Sequence, residues 1–203
     1  SQGAKARRHL LLAMLESEHL QNLGLEGYGP EVAMYNAVLG QTKMHRLDRR
    51  HSRFAVRPPA EGSLVPAWEI VLDRILGATD RRISIADIHA ALRVPPIGMK
   101  QGPIPVLVTA VLIFTGDEVA LYEHGTFRPV LTEEICDRMV RNPGHFEVKH
   151  YANAFEESSR LLRLVEKEMD HQGRLHIYLA MNDFNQGGVE AAMERLNRIS
   201  KRP

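Results

Sequence analysis

The feature that most constrains this chain is a stretch of thirteen residues, Pro103 to Thr115, with the sequence PIPVLVTAVLIFT and no charged side chain. A helix needs about 20 apolar residues to span a bilayer, so this stretch is too short to cross one. A helix that is apolar on nearly all sides has to be buried in a protein core. The sequence therefore predicts a central buried helix, around which the rest of the 203 residues must pack.

The composition is that of an ordinary soluble globular protein, with 44% hydrophobic and 25% charged residues. Near the N-terminus, the apolar run in KARRHLLLAMLESEHL is interrupted by Glu16 and Glu18 and has no small-residue cleavage site, which is not the pattern of a secretory signal. The single cysteine, Cys136, cannot form an internal disulfide, and this favours a reducing compartment. We therefore expect a cytoplasmic protein that makes no membrane contact.

The segments around the buried helix predict a winged-helix-like core. Helices are predicted over 66–77 and 85–93 with a short strand, RIS, between them, and the third helix follows a proline turn. Further along, the alternation in EVALYEHGTFRPVL predicts a β-hairpin over 118–130, with its reversal at His124 and Gly125. Three helices followed by a hairpin are the order of a winged helix, whose third helix is the usual recognition helix.

The flanking segments complete the prediction of a mixed α/β (α+β), mainly helical fold. Helices are predicted over 4–23 and 30–40, and a basic linker or exposed loop over 41–61, where apolar periodicity disappears. Near the C-terminus, FEESSRLLRLVEKEM predicts an amphipathic helix and RLHIYLA a strand. The predicted parts are an N-terminal helical region with the basic loop (1–62), the winged-helix-like core (63–150) and a C-terminal α/β extension (151–203).

The charge is distributed unevenly, although the net charge is only +1. Within residues 43–57 the only acidic residue is Asp48, so the basic groups there could bind phosphates irrespective of sequence, with marked salt dependence. The predicted nucleic-acid-binding residues are those of this segment together with one in the loop before the buried helix and one on the hairpin: Lys43, Arg46, Arg49, Arg50, Arg53, Arg57, Lys100 and Arg128. The alternatives are a solvated loop and an intramolecular dock for the acidic segment 116–170.

Sequence-specific DNA binding by a winged helix is a further alternative. A recognition helix must expose hydrogen-bond donors and acceptors to a groove. The third predicted helix offers mainly Thr109 and Thr115. The sequence therefore favours scaffolding or sequence-independent contact over base recognition.

The sequence lacks the motifs of common catalytic sites. The loop GMKQG does not match G-x-x-x-x-G-K-[ST], none of the ten histidines forms H-E-x-x-H, and Cys136 has no second cysteine for a zinc site. Cys136 lies between Ile135 and Met139 in a helical pattern, where packing is its predicted role. We predict no catalytic residue, cofactor or metal, and a small hydrolase using Cys136 is the enzyme alternative.

Three short blocks carry a family resemblance. They are Pro-Pro-x-Gly-x-x-x-Gly-x-x-Pro at 95–105, Leu-Tyr-Glu-x-Gly-x-Phe at 121–127 and Asn-Pro-x-x-Phe-Glu at 142–147. Together with PEVAMYNAVLG, they resemble a non-catalytic segment of large bacterial P-loop ATPases associated with phage-defence systems such as BREX. The chain has no Walker A motif, so the resemblance implies an accessory module whose partners are DNA, an ATPase domain or other subunits of a larger assembly.

Overall fold

The computed structural model of the chain describes residues 2–151. The helices are α1 (Gln2–Glu16), α2 (Pro30–Tyr35), α3 (Val65–Leu76), α4 (Ile85–Arg93), α5 (Ile104–Thr115) and α6 (Glu133–Arg141). The strands are β1 (His45–Asp48), β2 (Arg53–Val56), β3 (Ile83–Ser84), β4 (Val119–Glu123), β5 (Thr126–Arg128) and β6 (Phe146–His150). The predicted C-terminal helix and strand lie outside the described residues.

Helix α5 is the centre of the core, in agreement with its uncharged sequence. Its buried residues are Ile104, Pro105, Val106, Leu107, Val108, Thr109, Ala110, Val111, Leu112 and Thr115. Helices α1 and α3 and strand β2 contact it. Each large aliphatic side chain removed from water contributes about 1.5–3 kcal/mol, so this helix organises the fold. It ends at Gly116, whose φ of 53° and ψ of −130° favour a residue without a Cβ atom.

A four-stranded antiparallel sheet, in the order β3-β6-β4-β5, lies beside the helices. The β4–β5 reversal is at His124 and Gly125, as predicted, and both have positive φ, 50° and 77°. Positive φ at both central residues is typical of the tight turns that match strand twist. Strand β6 pairs with both β3 and β4. Strand β4 also pairs with β5, so it has a neighbour on each side.

The mixed, mainly helical fold class is confirmed, with two small antiparallel sheets. The elements predicted for the core occur in the predicted order, α3, β3, α4, α5 and the β4–β5 hairpin. Their interpretation as a winged helix stays a prediction. Within residues 2–151, every helix is too short or too polar to cross a membrane.

The first helix ends at Glu16, and the prediction that it continues to residue 23 is wrong. The backbone turns because Glu18 bonds to a distant part of the chain. Its Oε1 accepts a hydrogen bond from the backbone N of Val56 at 2.8 Å, and its carbonyl accepts one from Nε2 of His45 at 2.7 Å. These partners are 38 and 27 residues away in sequence, so the spacing of apolar residues in the helix could not predict the two hydrogen bonds.

The predicted irregular loop over 41–61 is also wrong in part, because its middle forms the antiparallel β1–β2 hairpin. Its register pairs His45 with Val56 and Asp48 with Arg53. Ala55 and Val56 are buried, and Val56 joins the same hydrophobic core as the helices. Four-residue strands with few apolar side chains leave little alternation to detect, and here tertiary packing stabilises them.

Candidate nucleic-acid interface

Three arginines of the β1–β2 hairpin extend into solvent, and we call them the arginine tip: Arg49, Arg50 and Arg53. All three residues are exposed. None of their guanidinium groups has an ion-pair or hydrogen-bond partner within residues 2–151. Free guanidinium groups on a hydrogen-bonded hairpin can form charge-assisted bonds to phosphate oxygens without breaking an internal pair.

The carboxylate of Asp48 holds the turn that carries the arginine tip. Its Oδ1 accepts a hydrogen bond from the backbone N of Arg50 at 2.9 Å, and its Oδ2 from Nδ1 of His51 at 3.0 Å. The guanidinium of Arg57 donates to the same Oδ2. The hydrogen bond from His51, followed by that from Arg57, holds the pKa of Asp48 well below its usual range. Asp48 is therefore ionised at neutral pH, and its ion pairs are with His51 and Arg57 and not with the guanidinium groups of the tip.

The other three predicted residues of this segment have structural partners. Lys43 pairs with Glu61 at 2.6 Å. Arg46 donates through Nη1 to the carbonyls of Lys43, at 2.5 Å, and Pro58, at 2.8 Å. Arg57 donates to the carbonyl of Val56 at 2.8 Å besides pairing with Asp48. The predicted basic segment thus contains three arginines that face solvent, two arginines that bond to its own backbone and a lysine that pairs with Glu61.

Arg128 and Lys100 lie on other elements. Arg128 is on β5, in the other sheet, where its Nη2 lies 2.9 Å from Oε2 of Glu123. Its Nε is buried and has no hydrogen-bond partner among the described residues. Lys100 is exposed in the loop between α4 and α5. Neither residue belongs to the β1–β2 hairpin, and Arg128 is engaged in an internal ion pair.

Glu123 is the residue that sequence reasoning missed. Its side chain is 6% exposed, and Nε and Nη2 of Arg138 donate to its two carboxylate oxygens at 2.6 and 2.9 Å. The hydrogen bonds from Arg138 hold the pKa of Glu123 below its ordinary value, although burial opposes this. Two arginines on one carboxylate form a bidentate, charge-assisted cluster. Nothing in the spacing of these residues indicated it, because Arg138 is on α6.

Helix α5 cannot act as a recognition helix while it is packed in this way. Thr109 is fully buried, and the hydroxyl of Thr115 donates to the carbonyl of Val111 at 3.0 Å. Phe114, on the remaining face, packs edge-on against Trp68 with 5.4 Å between the ring centroids. The helix therefore presents no polar side chain that could contact base edges.

Cys136 is buried at 2% exposure, in the wall of a cavity of about 260 Å³ between α1 and α6. Burial raises the pKa of its thiol to about 12. The thiolate is the nucleophilic form, and very little of it exists at neutral pH with such a pKa. This geometry counts against the hydrolase alternative and favours the packing role.

The described residues contain no group of three or more His, Cys, Asp or Glu side chains arranged to hold a metal ion.

We also compared the chain with protein-family models, with curated proteins and with solved structures. None of these comparisons found a match.

Proposed function

We propose that this chain is a non-enzymatic accessory module that contacts nucleic acid through the arginine tip, irrespective of base sequence. The observation that carries the proposal is the exposure of Arg49, Arg50 and Arg53, without internal partners, on a hairpin whose turn Asp48 holds. Arginine fits phosphate oxygens through a planar fork of donors. Contacts to phosphates position a protein on nucleic acid but carry no sequence information.

The larger setting that we propose is a bacterial ATPase-type assembly, such as a phage-defence system. This part rests on the resemblance of the blocks at 95–105, 121–127 and 142–147 to non-catalytic segments of such ATPases. A sequence-specific winged helix is the weaker candidate, because Thr109 and Thr115 of α5 are buried. A thiol hydrolase is weaker still, because the Cys136 thiol is un-ionised at neutral pH.

The test is fluorescence anisotropy with labelled single- and double-stranded DNA over a salt series. Three phosphate contacts give a slope of log affinity against log salt of about −2.7 for duplex, so affinity should fall about 40-fold between 50 and 200 mM salt. The variant Arg49→Glu/Arg50→Glu/Arg53→Glu should lose most of this affinity. Two duplexes of unrelated sequence should bind equally well.

The matched control is Arg74→Glu/Arg81→Glu/Arg93→Glu, which changes three other exposed arginines and the net charge by the same amount. It should retain most of the affinity, because the tip is intact. Equal loss in both variants would mean that DNA does not bind specifically at the tip. Unchanged affinity in the tip variant would rule out the tip as the contact.

A further inference from the structure

A second basic surface is a groove of about 680 Å³ that is lined by no residue of the β1–β2 hairpin. The groove runs between the C-terminal end of α3, strand β3 and one face of α4. Arg74, Arg81 and Arg82 line it, against one acidic residue, Asp87. The groove therefore carries an excess of positive charge.

Arg82 is held in place by its neighbours. Its guanidinium carbon lies 3.6 Å from the centre of the Tyr122 ring, and its Nη1 donates to the carbonyl of Gly125 at 3.4 Å and lies 3.7 Å from Oε2 of Glu147. Arg74 and Arg81 are exposed and have no ion-pair partner within residues 2–151. The groove thus combines one fixed guanidinium with two that are free to pair with a ligand.

The apolar part of the groove lining, which we call the floor, consists mostly of small side chains. Ala90 and Ala91 of α4 form part of it, together with Ala78 and Ile83. Val94, at the end of α4, also lines the groove and is 55% exposed. Small side chains let another backbone approach closely, and the exposed valine gains free energy when an apolar side chain covers it.

The lining distinguishes between two classes of ligand. A phosphate backbone would satisfy the arginines, but it would leave the alanines and Val94 in water. A helix with acidic residues on one side and apolar residues on the other satisfies both, because its carboxylates pair with arginine and its apolar face covers the floor. We propose that this groove binds an acidic amphipathic helix of a partner polypeptide.

This proposal is independent of DNA binding by the arginine tip, and it is tested on the full chain by fluorescence anisotropy. The probe is a labelled peptide of about 16 residues, about 24 Å long as a helix, with leucines at helical spacing and glutamates on the other face. The comparison peptide has the same composition in scrambled order. We expect the amphipathic peptide to bind at least about tenfold more tightly than the scrambled one, a difference of about 1.4 kcal/mol.

Two variants locate the binding. Ala90→Glu puts a carboxylate on the floor at an exposed helical position, and Arg74→Gln/Arg81→Gln removes the free charges; each should weaken peptide binding about tenfold or more. The tip variant Arg49→Glu/Arg50→Glu/Arg53→Glu should bind the peptide within about twofold of the unchanged protein. Circular dichroism and thermal unfolding confirm that each variant is folded.

Three results would overturn the proposal. The first is equal binding of the scrambled peptide, which would show attraction by charge alone. The second is unchanged affinity in both groove variants. The third is displacement of the peptide by an oligonucleotide whose own binding requires Arg74 and Arg81, which would make the groove a phosphate site. Loss of DNA binding in the tip variant alone leaves the proposal standing, so the two proposals fail separately.

Discussion

Two hairpins within residues 2–151, β1–β2 and β4–β5, contain the same kinds of residues and use them in opposite ways. In β1–β2, the carboxylate of Asp48 accepts hydrogen bonds from the turn and from Arg57, while the arginine tip faces solvent. In β4–β5, the carboxylate of Glu123 is buried and forms ion pairs with both Arg128 and Arg138. The position of the nearest carboxylate therefore decides whether an arginine is free to bind a ligand.

The positions of the hairpins in the fold explain the difference. Strand β4 lies between β5 and β6, and its Ala120, Leu121 and Tyr122 are all buried, so a carboxylate at its end loses water and must be paired. Strands β1 and β2 form a separate two-stranded sheet. The side chains at its turn can stay hydrated without a partner, and this leaves arginines exposed.

The largest effect should follow from Glu123→Gln, which keeps the shape of the side chain and removes its charge. Arg128 and Arg138 then lose the negative charge that they share. The side chain at this position is only 6% exposed. Because the arginines are themselves partly exposed, we expect a loss of about 1–3 kcal/mol in the free energy of unfolding, measured by urea denaturation. The control is Asp137→Asn, which removes the exposed pair with Arg141 and should cost at most about 0.5 kcal/mol. An equal loss of unfolding free energy in the two variants would mean that the buried carboxylate of Glu123 stabilises the fold no more than an exposed ion pair does.

The next effect should follow from Asp48→Asn. The amide loses the charge that pairs with Arg57 and weakens the bonds that hold the turn, so the hairpin should open more often. Trypsin should then cleave after Arg49 and Arg50 severalfold faster, as measured by mass spectrometry of timed digests. Glu61→Gln, which removes only the exposed pair with Lys43, serves as the control. If both variants are cleaved at the same rate, Asp48 does not hold the turn.

Mild acid should destabilise the β1–β2 hairpin and leave the β4–β5 hairpin unchanged. The β1–β2 hairpin depends on neutral His45, whose Nε2 donates to the Glu18 carbonyl and whose Nδ1 accepts from the Tyr35 hydroxyl at 2.9 Å. Burial lowers the pKa of His45 below 6.5, so the unfolded form takes up a proton first and stability falls as the pH drops below 6.5. The pKa of Glu123 is lowered from 4.5, so its contribution is retained until the pH falls below 4.5.

The measurement is hydrogen exchange at pH 7.5 and pH 5.5, corrected for the intrinsic exchange rate. Peptides covering 42–57 should lose protection at pH 5.5, whereas peptides covering 119–128 should keep it. The variant His45→Gln should exchange similarly at both pH values in the first region. Equal loss of protection in the two regions would show that acid acts on the whole fold and not on His45.

The smallest effect concerns single residues of the basic segment. Arg50→Ala should reduce the salt slope of DNA binding by about 0.9, the contribution of one phosphate contact to duplex. Lys43→Ala should leave the slope unchanged, because Glu61 already neutralises Lys43. Both variants are measured by the same anisotropy series. A similar decrease in both would mean that the whole segment acts as a diffuse charge and that internal pairing is irrelevant.

Elements whose partners are close in the chain could be predicted from the sequence. The uncharged composition of Pro103 to Thr115 required burial, and His124 and Gly125 marked a tight turn. The helix starts were also local: the Ser84 hydroxyl accepts from the backbone N of Ala86 at 3.1 Å, and the Thr132 hydroxyl accepts from that of Ile135. Caps, turns and apolar runs act within a few residues, so their signal is written in the local sequence.

The availability of the charged groups and the end of the first helix depended on contacts between distant parts of the chain. Glu18 bonds to Val56, which is 38 residues away, and Glu123 is engaged by Arg138, which is 15 residues away on α6. The sequence shows how many carboxylates and guanidinium groups a segment contains, but it does not show the distances between them. Ion pairs form over a few ångströms in space, and folding alone brings such distant residues that close.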